Sequence, residues 1–117
     1  MNCDIIGKTV TVIVDRKMGS RHPKYTDMIY PINYGYVPGV FAEDGEEQDA
    51  YILGVDFAVD EFCGVVIAVI HRIDDNEDKW VVAPEGIFFS KEEIYESVWF
   101  TEKYFKTELY LGKTEES

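Results

Sequence analysis

Hydrophobic and polar positions along this chain begin with period two. Lys8-Thr9-Val10-Thr11-Val12-Ile13-Val14-Asp15 alternates threonine with valine, the pattern of a strand with one buried face. Ala50-Tyr51-Ile52-Leu53-Gly54-Val55 predicts a second strand. Gly64-Val65-Val66-Ile67-Ala68-Val69-Ile70-His71-Arg72 is the most apolar run. It is rich in β-branched residues and too short for a lone core helix, so it predicts a central strand. Lys79-Trp80-Val81-Val82-Ala83 predicts another, stopped by Pro84. Between the first two strands, Tyr30 to Gly39 is aromatic and punctuated by Pro31, Gly35, Pro38 and Gly39. Those prolines exclude a helix, so short extended pieces joined by turns are expected there.

The period changes after Pro84. Ser90-Lys91-Glu92-Glu93 has the form of a capping box, in which the serine hydroxyl accepts from the Glu93 amide while the Glu93 carboxylate reaches back. Ile94, Val98 and Phe105 then fall on one side with Tyr95 and Trp99 beside them. This predicts an amphipathic helix over residues 91–106. A β-rich chain with one late helix points to a mainly β (α+β) fold: a small closed or partly closed barrel with the C-terminal amphipathic helix packed on it. The 117 residues fit one domain spanning 1–117. Lys113 to Ser117 reads as a solvated tail.

Composition adds a charge problem. Eleven Lys and Arg face 23 Asp and Glu, a net charge of −12. Such a chain repels nucleic acid and anionic lipid at long range, so neither is expected as a partner. It also repels a phosphate substrate unless bound cations reverse the local sign. No apolar run approaches about 18 residues and no basic-then-apolar leader is visible, so a cytoplasmic protein that does not enter membranes is expected. Cys3 and Cys63 form no Cys-x-x-Cys, and Cys63 beside an apolar run reads as a half-buried free thiol.

Four segments could carry chemistry. Asp44-Gly45-Glu46-Glu47-Gln48-Asp49 puts four carboxylates into six residues, in a loop before the strand at Ala50. Alone it is an ordinary acidic turn or a site for a hard cation, since oxygen-only ligands select Mg²⁺-like ions. Asp74-Asp75-Asn76-Glu77-Asp78-Lys79 is a second acidic segment in a hairpin-like loop, and an antiparallel barrel could bring both to one rim. Tyr30-Pro31-Ile32-Asn33-Tyr34-Gly35-Tyr36 is either aromatic core or a source of phenol donors to a phosphoryl oxygen. Arg16, Lys17, Arg21 and Lys24 cluster in a loop of an otherwise acidic chain, either solvated or holding an anion. His22 and His71 stand in no Ser-His or Cys-His arrangement.

The order of these motifs resembles the family I soluble inorganic pyrophosphatases. That family has Tyr-Pro-x-Asn-Tyr-Gly-Tyr, a short gap, then Asp-Gly-Asp-x-x-Asp opening a strand. Tyr30 to Tyr36 match the first motif and Asp44 to Asp49 the second, with Glu46 in place of the middle Asp. The similarity runs over about residues 10 to 106, although this chain is much shorter than usual and lacks the length of a hairpin before Tyr30. The resemblance implies an OB-like five-stranded barrel that hydrolyses pyrophosphate to two phosphates. It implies two or more Mg²⁺ held by Asp44, Asp49 and Asp78, with Asp74 adding to the site. Glu46 would handle the proton of the attacking water, and Tyr34 and Lys79 would offset phosphate charge. Arg21, with Lys24 second, stands for the family's missing Arg. Tyr104 and Lys106 stand for a phosphate-binding Tyr-Lys pair, here separated by Phe105. Asp15 falls near the family's first acidic position. Members of the family often form homo-oligomers, which leaves that state open here. Two other readings stand beside this one: a phosphatase acting on another small phospho-compound, and a catalytically weak barrel that binds metal or phosphate.

Overall fold

The computed structural model describes residues 4–111; Cys3 and the tail from Lys113 lie outside them. The elements are β1 (Thr9–Arg16), β2 (Asn33–Phe41), β3 (Glu47–Ile52), β4 (Glu61–Arg72), β5 (Glu77–Ala83), α1 (Lys91–Glu102) and β6 (Thr107–Leu111). β1 pairs antiparallel with β2, β2 with β3 and β5 with β4, while β3 and β5 run parallel. The antiparallel pairing of β1 with the first half of β4 closes the ring. The result is the OB-like five-stranded barrel with one helix, as the sequence predicts. β4 is long enough to serve two partners on one edge: Glu61 to Val65 meet β1, and Ala68 to Arg72 meet β6.

Strand alternation divides the apolar residues between two cores. Val12, Val14, Val37, Ala50, Ile52, Val66, Val69, Trp80 and Val82 fill the barrel. Tyr51, Leu53, Ile70, Val81 and Ala83 face outward and pack with Ile94 and Val98 of α1. An irregularity in β4 between Val66 and Ala68 switches its phase. Beyond it Ala68, Ile70 and Arg72 point to the helix side. This parity also decides which polar residues meet. Asp49 lies two positions before Tyr51, and Lys79 two before Val81, so both belong to the helix-facing side.

Two residues of the Tyr30–Tyr36 motif hold the frame. A Cβ on Gly35 would lie 1.9 Å from the Ile13 carbonyl oxygen, so only glycine lets β1 approach β2 this closely. Asn33 is fully buried. Its Oδ1 accepts from the Met18 and Val59 amides at 2.9 and 3.4 Å, and its Nδ2 donates to the Phe57 carbonyl at 2.9 Å. One amide side chain thereby ties down two loops.

Several expectations change. Tyr30 to Gly39 does not break into short pieces: Asn33–Phe41 is one strand, with Pro38 and Gly39 at an irregularity between Val37 and Phe41 that needs no ladder donor. Both acidic segments run partly into strands, Glu47 to Asp49 in β3 and Glu77 to Lys79 in β5. The capping box of α1 forms in both directions. The helix ends at Glu102 rather than near 106, where the Tyr104 and Phe105 amides bond back only three residues, to the Thr101 and Glu102 carbonyls. Phe105 lies beyond it, in the turns leading to β6, a strand that carries no Gly or Pro punctuation to announce it. Cys63 is exposed, on a β4 position opposite Thr11. No helix among the described residues is long and apolar enough to cross a membrane.

Candidate active site

β2, β3 and β5 bring Tyr34, Asp49 and Lys79 together on the helix-facing side. The Lys79 ammonium donates to Asp49 Oδ2 at 2.5 Å and to the Tyr34 hydroxyl at 3.1 Å. Lys79 is 4% exposed, so its charge depends on these partners. Burial first, then the Asp49 charge, pushes the Tyr34 phenol far above its usual range. It therefore stays protonated and acts as a donor. Asp15 of β1 stands beside this group: partial desolvation raises its carboxyl, Arg16 opposes the rise, and Asp49 adds to it.

Behind this trio lies a buried ion-pair network. Glu102, fully buried on the last turn of α1, accepts from Arg72 Nε at 2.9 Å, from Arg72 Nη2 at 2.6 Å and from the Tyr51 hydroxyl at 2.5 Å. Arg72 Nη1 also donates to Glu77 Oε2 at 3.2 Å, and Lys79 Nζ lies 3.8 Å from the same oxygen. The guanidinium stacks over the Phe105 ring, 3.8 Å from its centroid. Burial pulls the Arg72 pKa down, but the Glu102 bonds and charge outweigh it and hold Arg72 above its ordinary range.

The two acidic segments do meet at one rim. A cavity of about 840 Å³ lies between their hairpins, and Glu43, Asp44, Glu47, Asp49, Asp75, Glu77 and Asp78 all line it. Trp80, Val10 and Ile5 add an apolar part to its wall. Asp44 Oδ1 accepts from the Glu46 amide at 3.0 Å, which shapes the turn. Asp78 bonds His71 Nδ1 at 2.7 Å. This donor set is almost wholly carboxylate oxygen and fits in kind a hard divalent cation, such as the Mg²⁺ that the resemblance implies. No ready cage exists, since no three His, Cys, Asp or Glu side chains among the described residues gather closely enough to hold an ion.

The remaining predicted site residues lie elsewhere. Glu46 is exposed at the turn tip, where its carbonyl accepts from the Ala42 amide. Asp74 Oδ2 accepts from the Lys106 amide at 3.3 Å, and it is Asp75 that lines the cavity. Arg21 Nη1 donates to the Thr26 carbonyl and Lys24 sits over Tyr25. A second cavity of about 340 Å³ is lined by Asp15, Arg16, Lys17 and Arg21. Tyr104 is exposed, with Lys103 over its ring.

Glu77, Arg72, Tyr51 and Glu102 were absent from the residues predicted for this site. Parity could have found Glu77, two residues from Lys79. Helical spacing could have found Glu102, which continues the Ile94–Val98 stripe.

A family model described as inorganic pyrophosphatase matches residues 6–86. The chain belongs to the inorganic pyrophosphatase family. Among curated relatives, an inorganic pyrophosphatase of Saccharolobus solfataricus is 50% identical over 30 residues, 26% of this chain and 17% of that protein. One from Aeropyrum pernix is 48% identical over 29 residues, 25% of this chain and 16% of that protein. The matched stretch is thus a small part of each curated relative. The fold is shared far more widely. A solved inorganic pyrophosphatase from Ehrlichia chaffeensis superposes with a TM-score of 0.69 at 17% identity, covering 91% of this chain and 87% of that one. One from Helicobacter pylori gives 0.67 at 17% identity, covering 97% and 91%.

Proposed function

We propose that this chain hydrolyses inorganic pyrophosphate to two phosphates, at the border between the Tyr34–Asp49–Lys79 group and the acidic cavity. The observation that carries this reading is Asp49, which lines the cavity and also accepts from Lys79. A substrate there meets two fixed donors, the Lys79 ammonium and the protonated Tyr34 phenol, suited to the charge that builds on a leaving phosphate. Asp44, Asp49 and Asp78 are the residues that would hold Mg²⁺. When bound, the ion would lower the pKa of water and neutralise phosphate charge. Glu46 at the turn tip is the carboxylate proposed to take the proton of the attacking water, and Arg21, Lys24, Tyr104 and Lys106 are peripheral anion contacts. The test is phosphate release from pyrophosphate with and without Mg²⁺; folded protein that releases none under both conditions would sink this reading.

The ion pairing of Asp49, Glu77 and Glu102 with Lys79 and Arg72 favours a second reading, in which the barrel binds phosphate without turnover. Calorimetry that finds phosphate binding in protein inactive toward pyrophosphate and toward other small phospho-compounds would select it.

A further inference from the structure

Asp49 is asked to do two things. Its carboxylate lines the acidic cavity, half-exposed, and it also accepts at 2.5 Å from an ammonium that is itself buried. A divalent cation binds carboxylate oxygen at about 2.0–2.6 Å, nearly the distance Lys79 already occupies. Two cations on one carboxylate repel each other, and the Lys79 ammonium is too buried for solvent to screen it fully. Lys79 has a second anion within reach, since Glu77 Oε2 is 3.8 Å away, and Tyr34 can continue to accept at 3.1 Å.

We infer that Lys79 is a tethered competitor for the cation at Asp49, so that metal binding and the Asp49–Lys79 pair exclude one another. This rests on the reading that the cavity takes a divalent cation beside a phosphate. A consequence is positive coupling. A phosphate anion that draws the Lys79 ammonium to itself frees Asp49, and by linkage the metal must strengthen phosphate binding by the same factor. Metal therefore binds at Asp49 more weakly before the anion arrives than after it.

The test is calorimetric titration with Mg²⁺ alone, without pyrophosphate, so that the answer does not depend on hydrolysis. Lys79→Met binds Mg²⁺ at least about tenfold more tightly than the parent chain, because the carboxylate loses its internal partner. Adding Asp49→Asn to that variant removes the gain. Lys17→Met changes net charge equally but removes a lysine paired with Asp60, and it shifts affinity by no more than about twofold. Equal or weaker binding by Lys79→Met, a gain that survives Asp49→Asn, or an equal gain in Lys17→Met would overturn the inference. Should Lys79→Met fail to fold, NMR of the parent chain with labelled lysine serves instead. The Lys79 ε-methylene signal must move in step with Mg²⁺ binding; a stationary signal at saturation would contradict the competition. In the parent chain, inorganic phosphate raises Mg²⁺ affinity, and in Lys79→Met that enhancement shrinks; enhancement of equal size in both also counts against it.

Discussion

The face beneath α1 and the rim cavity between the two hairpins both concentrate carboxylates, and they neutralise them in opposite ways. Under the helix, Glu102 and Glu77 meet Arg72, and Asp49 meets Lys79, each within hydrogen-bond distance. Tyr51 completes the shell of Glu102. At the rim, Glu43, Asp44, Glu47, Asp75, Glu77 and Asp78 line a water-accessible space whose wall, among the described residues, holds no Lys or Arg. Burial explains the difference. The cations Arg72 and Lys79 are buried and must keep carboxylates within reach, and fully buried Glu102 must be paired, whereas a rim with no buried cation can leave neutralisation to solvent ions. Asp49 and Glu77 belong to both regions, and the functional proposal centres on Asp49 because it takes the shortest contact from Lys79.

The largest effect is expected where pairing is deepest. Glu102→Ala leaves the Arg72 guanidinium buried with one carboxylate fewer and the Tyr51 hydroxyl without its partner. It should cost about 3–5 kcal/mol in chemical denaturation, enough to threaten a small domain. A loss below about 1 kcal/mol would mean that the network is not what secures α1.

Smaller effects separate the border from the rim. In the folded chain Asp15 has a carboxyl pKa above its ordinary value, chiefly through desolvation. The fold therefore loses stability as pH rises through the window between the ordinary and the raised value. Asp15→Asn removes that slope and changes stability at neutral pH by at most about 0.5 kcal/mol, in the stabilising direction. A destabilised Asp15→Asn would show that Asp15 contributes a favourable contact instead. Glu43→Gln, on the exposed rim, should fall within about 0.5 kcal/mol of the parent, with its sign set by relief of repulsion. A loss beyond about 1 kcal/mol would show that the rim is as tightly knit as the face under the helix.

The barrel was largely legible because strand parity and apolar runs are local signals. Thr9 to Asp15 and Gly64 to Arg72 announce β1 and β4 directly, and Ser90 and Glu93 mark the start of α1. What sequence concealed depends on distant partners. Helical spacing puts Glu102 on the buried Ile94–Val98 stripe, but nothing near it names the partner that lets a glutamate be buried there, because that partner is Arg72, thirty residues away. β6 was hidden because its edge pairing with β4 supplies what local composition does not. In the candidate site, motif order found Tyr34, Asp49 and Lys79, which are joined by hydrogen bonds. It could not distinguish Asp74 from Asp75, or show that Asp78 turns toward His71 while Glu77 turns toward Arg72. Those choices follow from the residue at which β5 begins and from the switch of phase in β4.

The central claim is that Asp49 joins the two regions into one hydrolytic site. The most direct measurement is phosphate release from inorganic pyrophosphate by the parent chain and by Asp49→Asn, each with Mg²⁺ and each shown to be folded. Mg²⁺-dependent release by the parent, reduced at least about a hundredfold in Asp49→Asn, is the predicted result. An Asp49→Asn chain as active as the parent, or a folded parent that releases no phosphate, would contradict it.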